Sequence, residues 1–194
     1  LTSISTVWVE VDLLSDRNPE AAPMKSEVIK REAFETTPSL RLEGAGAMPL
    51  SSRWDVSLAE GTPLLAAVRD ALASEDEQDS DVYFVLNGAD ALGGAPRELG
   101  SAHINLERLL KRGSDATRER LPILDPKGAR VGAVTVSLRA LDALTWAKRG
   151  ADESMVFGVR IGALTLAAAG QARLDGRSTA LVEAVSYTHL RAHE

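Results

Sequence analysis

Cysteine is absent from the 194 residues, which excludes a disulfide framework and any thiolate metal site; a reducing compartment is compatible with that lack. Aromatic residues are scarce at 4%, with three Trp, two Tyr and three Phe. A basic excess is lacking as well. Lys and Arg number 22 against 28 Asp and Glu, a net charge of -6, which is not the footprint of a nucleic-acid binder. No apolar run approaches the roughly 18 residues that a membrane helix needs, and no signal peptide is visible. Leu1 already sits in what reads as mid-strand, so a targeting segment further upstream stays open.

What is there is a globular composition, 44% apolar and 26% charged, long enough for one domain or for one domain and a piece of another. The last ten residues, Val185 to Glu194, resemble word for word the translation of the adapter used in transposase-based sequencing libraries. They are read as foreign, and the chain as an internal fragment of a longer protein. That reading removes His189, His193 and Glu194, which would otherwise suggest a zinc site by their helical spacing.

The remainder reads as strands with short helices. Val7, Val9 and Val11 alternate with Trp8, Glu10 and Asp12, the period of a half-buried strand. Ser15 to Pro23 has loop composition. Lys25 to Glu32 mixes Lys25, Lys30 and Arg31 with Glu27 and Glu32, so its charges nearly cancel and it reads as a solvated edge strand. A short strand is expected over Ser39 to Glu43, then a Gly/Ala link at Gly44 to Ala47, then a strand over Arg53 to Leu58. Thr62-Pro63 predicts a helix start, with Leu64, Leu65, Val68 and Leu72 on one side. The acidic run Ser74 to Asp81 reads as a solvated connector.

The centre of the pattern is the strand Val82 to Leu86, a Gly/Ala-rich loop from Asn87 to Gly100, and the strand Ser101 to Leu106. In that last strand Ala102, Ile104 and Leu106 are expected to face in, and His103 and Asn105 out. The loop matches no phosphate-binding pattern, because no Gly-Lys-Ser/Thr ends it. His103 has no evident base or nucleophile beside it for a triad and reads as an exposed strand residue. Leu106 to Lys111 forms an amphipathic turn ending in Lys111-Arg112. A strand over Arg118 to Leu124, a turn at Asp125 to Gly128 and a strand over Ala129 to Leu138 follow. Leu141 to Arg149 is expected to be a helix stopped by Gly150.

A strand pattern restarts at Met155 to Leu166. Beyond it Ser178-Thr179-Ala180-Leu181-Val182-Glu183 echoes Ser5-Thr6-Val7-Trp8-Val9-Glu10, a spacing close to one sandwich with its helix and linker, which suggests a tandem repeat. The expected organisation is a C2-like domain lacking its first strand over residues 1–149, a linker at 150–154, the start of a second C2-like unit over 155–184, and the adapter translation at 185–194. The fold class is mainly β, an antiparallel C2-like β-sandwich with short helices.

The words Trp8-Val9-Glu10, Leu181-Val182-Glu183, Val82 to Leu86, Leu99-Gly100 and Gly132 to Leu138, with a closing helix carrying Leu141, Leu144 and Trp146, resemble the C-terminal C2-like domains of the retinitis pigmentosa GTPase regulator-interacting protein (fantom) family. The resemblance implies a non-catalytic scaffold module of the ciliary transition zone, intracellular at the cilium or basal body. It also implies other ciliary proteins as partners, among them a GTPase regulator or nephrocystins, with no cofactor and no nucleic acid. Calcium is not expected either. A C2 cage needs about six to eight oxygens, while Asn87 and Asp90 on one loop and Asp16 and Glu20 on another offer too few carboxylates. No catalytic, cofactor or metal residues are assigned.

Two alternatives stand beside the scaffold reading. One is a C2-type membrane-docking domain that meets acidic phospholipid through Lys25, Lys30, Arg31 or through Lys111, Arg112, Arg118 and Arg120. The other, an enzyme fragment, lacks paired carboxylates, a Ser/His/Asp set and a metal cluster. Trp8, Trp54 and Trp146 are read as core residues rather than interface anchors.

Overall fold

In the computed structural model, residues 4–18, 22–30, 47–90, 95–149 and 155–166 are described. The chain forms β1 (Ile4–Leu13), β2 (Met24–Lys25), β3 (Ile29–Lys30), β4 (Ala47–Pro49), β5 (Arg53–Leu58), α1 (Pro63–Ala73), a 3-10 turn (Glu77–Ser80), β6 (Asp81–Asp90) and β7 (Arg97–Asn105). There follow α2 (Leu106–Arg112), β8 (Ala116–Leu124), β9 (Arg130–Arg139), α3 (Leu141–Arg149) and β10 (Met155–Leu166). All pairings are antiparallel, and the path through the sheet is β2-β1-β6-β7-β8-β9-β10-β4, with β3 beside β1 and β5 beside β10.

The expected mainly β architecture is borne out. The path divides at β7 and β8, which share a single register pair, Ser101 with Leu124. Each half turns its apolar face inward. Val7, Val9 and Val11 of β1, Phe84 and Leu86 of β6, Val134, Val136 and Leu138 of β9 and Phe157, Val159 and Ile161 of β10 belong to one buried cluster, as the two-residue period of half-buried strands requires. At the corner Gly100 lets the two backbones meet. A Cβ built there would lie 2.5 Å from the carbonyl oxygen of Leu124.

The helices start where the sequence predicts. Thr62 Oγ1 accepts the Leu65 N–H at 3.3 Å and Pro63 takes the first helical position, satisfying one orphan donor and losing none. Asn105 Oδ1 accepts the Arg108 N–H at 2.9 Å to start α2, and Gly113, left-handed at φ 67°, ends it. Asp115 Oδ1 accepts the N–H groups of Ala140 and Leu141, both at 2.8 Å, at the start of α3.

Several expectations change. The central loop is shorter than predicted, because Asn87 pairs with Glu98 and Gly88 with Arg97 around a bulge. Gly88 marks close packing rather than a loop: a Cβ there would come within 2.9 Å of Ile4 and Leu99 side chains. Asn105, expected to face out, is buried; its amide donates to the Glu77 carbonyl at 2.6 Å and to Asp81 Oδ1 at 2.8 Å. A short strand lies at Ala47–Pro49, beginning at the last residue of the predicted Gly/Ala link, while the strand expected over 39–43 falls outside the described residues. The echo at 178–183 and the adapter-like tail also lie outside them.

β10 joins this same sheet. Assigned from sequence to the opening of a second unit, it is paired along both edges within the same sheet. β9 runs along one side from Gly158–Arg139 to Leu166–Gly132, and β5 and β4 run along the other. Phe157, Val159, Ile161, Leu164 and Leu166 all enter the shared core. Backbone ladder bonds and an apolar face complement an open edge whatever the sequence distance.

Candidate functional site

The residues singled out from sequence are dispersed by the fold. Asp16 follows the end of β1, where Leu13 pairs with Val82, whereas Asp90 lies at the far end of that ladder opposite Ile4. The ladder counts nine register pairs from one end to the other, a span of roughly 30 Å at strand rise. The two loops compared with calcium loops are thus not neighbours. Asn87 is buried within β6; Glu20 lies outside the described residues. Among the described residues no group of three His, Asp or Glu side chains is placed to hold a metal ion.

His103 is exposed on β7, as expected. It packs against Tyr83 with ring centroids 5.9 Å apart, and its Nε2 lies 3.8 Å from Asp81 Oδ2. Burial and the carboxylates of Asp81, Asp16, Asp12 and Asp76 push the Tyr83 phenol above its ordinary value. The acidic connector is tied down: Asp79 pairs with Arg17 and Ser74, and Glu77 with Arg108 at 2.9 Å. Arg108 and the nearby Lys111 hold the Glu77 carboxyl below its usual range, the hydrogen bond from Arg108 being the larger cause.

The basic residues of the lipid alternative are mostly engaged within the fold. Lys25 stands over the Trp8 ring at 4.1 Å, Lys111 pairs with Glu107 at 2.9 Å and Arg112 with Glu119 at 2.7 Å. Arg118 and Arg120 are exposed; Arg31 lies outside the described residues. Of the three tryptophans, Trp146 is in the main core and Trp54 packs against it. Trp8 is buried on the opposite face of β1 from Val7 and Val9, its Nε1 donating to Glu10 at 2.8 Å.

A trough of about 280 Å³ that no motif signals lies on the outer face of β5, β10 and β9, with the start of β8 as one wall. Register pairs share a face in a sheet. Arg160 stands opposite Ser137 and Arg53, and Gly158 opposite Arg139 and Asp55, so three guanidinium groups surround a glycine floor. Asp55 is engaged by Arg53 at 3.1 Å, and Asp115 by the α3 backbone. Arg139 and Arg160, both exposed, have no carboxylate partner among the described residues. Beside the trough Arg118 sits at φ 51°, its N–H donating to Ser137 Oγ at 2.9 Å, within the bulge between Ala116 and Glu119. The strands' alternation could have put these arginines on the outer face, but with β10 assigned to another unit nothing brought them together.

The fold defines an antiparallel β-sandwich with three short helices among the described residues. Its stretch 60–149, from the residues before α1 through α3, matches the family model described as Retinitis pigmentosa G-protein regulator interacting C-terminal. The resemblance carried by Val82 to Leu86, Leu99-Gly100, Gly132 to Leu138 and the closing helix holds over that segment. No match was found among curated proteins.

Proposed function

We propose that the chain is a non-catalytic, calcium-independent C2-like protein-interaction module of a ciliary transition-zone scaffold, with the retinitis pigmentosa GTPase regulator as its partner. The observation that carries this reading is the match of residues 60–149 to a family described by its interaction with that regulator. The separation of Asp16 from Asp90 along the β1–β6 ladder supports calcium independence. The tandem arrangement is part of the proposal: residues 155–184 open a second unit, whose first strand β10 also completes the sheet of the first.

Isothermal titration of the full chain with the purified regulator, in EGTA and in millimolar calcium, tests it. The expected result is saturable binding of equal affinity in both buffers. No heat of binding in either buffer removes the regulator as partner, and binding that appears only with calcium overturns calcium independence.

A further inference from the structure

We propose that the trough on β5, β10 and β9 is the docking site for an extended acidic segment of a protein partner, with carboxylates at alternate positions. The proposal rests on the protein-interaction reading above and names the chemistry of the contact.

Charge comes first. In a chain of net charge -6, Arg53, Arg139 and Arg160 face one trough, and the two carboxylates lining it are already used, Asp55 by Arg53 and Asp115 as the cap of α3. Arg139 and Arg160 are left to take carboxylates from outside, and the planar guanidinium fork suits bidentate pairing with them. Spacing comes second. Arg160 is opposite Ser137, and Arg139 is two residues further along β9, so the two arginines are diagonal neighbours roughly 7–8 Å apart at the backbone. Alternate side chains on one face of an extended peptide are separated by roughly 7 Å. A segment with an acid, any residue and a second acid places one carboxylate at each arginine.

Access comes third. Gly158 forms the floor, and its missing side chain leaves room for the segment to lie close to the sheet; a Cβ there would make only ordinary contacts, 3.4 Å from Asp55 Oδ1 and 3.7 Å from the Arg139 Cβ. Val156, exposed on the same face, supplies an apolar contact next to it. A bilayer surface is the poorer occupant. The molecule as a whole is acidic, so an anionic bilayer, which must approach as a broad surface, is repelled where one short segment reaches the trough alone.

The test uses the full chain and a fluorescein-labelled hexapeptide with two glutamates at alternate positions and a valine next to them, read by fluorescence anisotropy. Its controls are the same peptide with glutamines, phosphatidylserine vesicles, and the purified regulator. Expected are binding of the glutamate peptide that weakens as salt is raised, at least tenfold weaker binding to Arg139→Ala/Arg160→Ala, and equal loss with Gly158→Leu, which fills the floor and keeps the charge. Circular dichroism should leave both variants folded, since the changed side chains are outside the core. Binding no tighter than that of the glutamine peptide overturns the proposal, as does binding of vesicles but not peptide. Regulator binding that is equal for wild type and both variants overturns the trough and leaves the interaction reading intact; peptide binding without regulator binding supports the trough and removes the regulator.

Discussion

At single residues the fold makes opposite demands on similar backbones. Leu14 and Arg118 both have positive φ, 57° and 51°, a conformation that costs an L-residue about 1–2 kcal/mol. Arg118 is exposed, so Arg118→Gly should raise stability by about 1 kcal/mol in a urea titration. Leu14 is 6% exposed and part of the core, and its burial contributes about 1.5–3 kcal/mol. Leu14→Gly should therefore lower stability, because lost burial outweighs relieved strain. Gly100→Ala should cost about 2 kcal/mol or more, since the added methyl meets the Leu124 carbonyl and neither backbone can yield alone. A midpoint equal to wild type would show that the corner relaxes freely. Such positions were only partly legible. The pattern Leu99-Gly100 marked a strand entry, but a contact 24 residues away, with Leu124, leaves no local signal. Asn105 shows the same limit: alternation puts it outward, while a helix cap and a buried aspartate on another element draw it in.

At the scale of elements, legibility follows locality. Thr62, Pro63 and the apolar face of α1 all lie within one continuous stretch of the chain, and the helix stands where they place it. The connector at 74–81 reads as charged, yet its order comes from Arg17 and Arg108, distant in sequence. It has a pH signature. Glu77, with its folded pKa depressed by Arg108, contributes stability at pH values above its unfolded pKa, and this is lost as pH falls through the lower folded value. Melting temperatures taken from neutral pH down to pH 3 should fall less steeply for Glu77→Gln than for wild type, by a small margin because the pair is exposed. Parallel curves would mean that the pair stabilises nothing. β10 was legible as a strand but not as a neighbour of β5, because pairing of antiparallel edges is written in shape and burial, not in adjacent residues.

For the whole molecule, the question of where one unit ends becomes quantitative. A chain ending at residue 149 retains the segment matching the family but loses Phe157, Val159, Ile161, Leu164 and Leu166 from the core. At about 1.5–3 kcal/mol for each large side chain, the loss is comparable with the roughly 5–15 kcal/mol that stabilises a whole domain. The truncated chain should show no cooperative thermal transition, whereas one ending at residue 166 should melt cooperatively. Cooperative melting of the shorter chain would show that β10 is dispensable to the first sheet.

The pairing of Asp55 with Gly158 also bears on how this protein emerges during synthesis. β5 has no described ladder partner other than β10, and about a hundred residues must be added before that strand exists. At about 5–20 residues per second, the edge waits roughly 5–20 s on the nascent chain. In that interval the backbone edge of β5 is unpaired, and the charges of Arg53 and Asp55 on that strand oppose premature pairing with other chains.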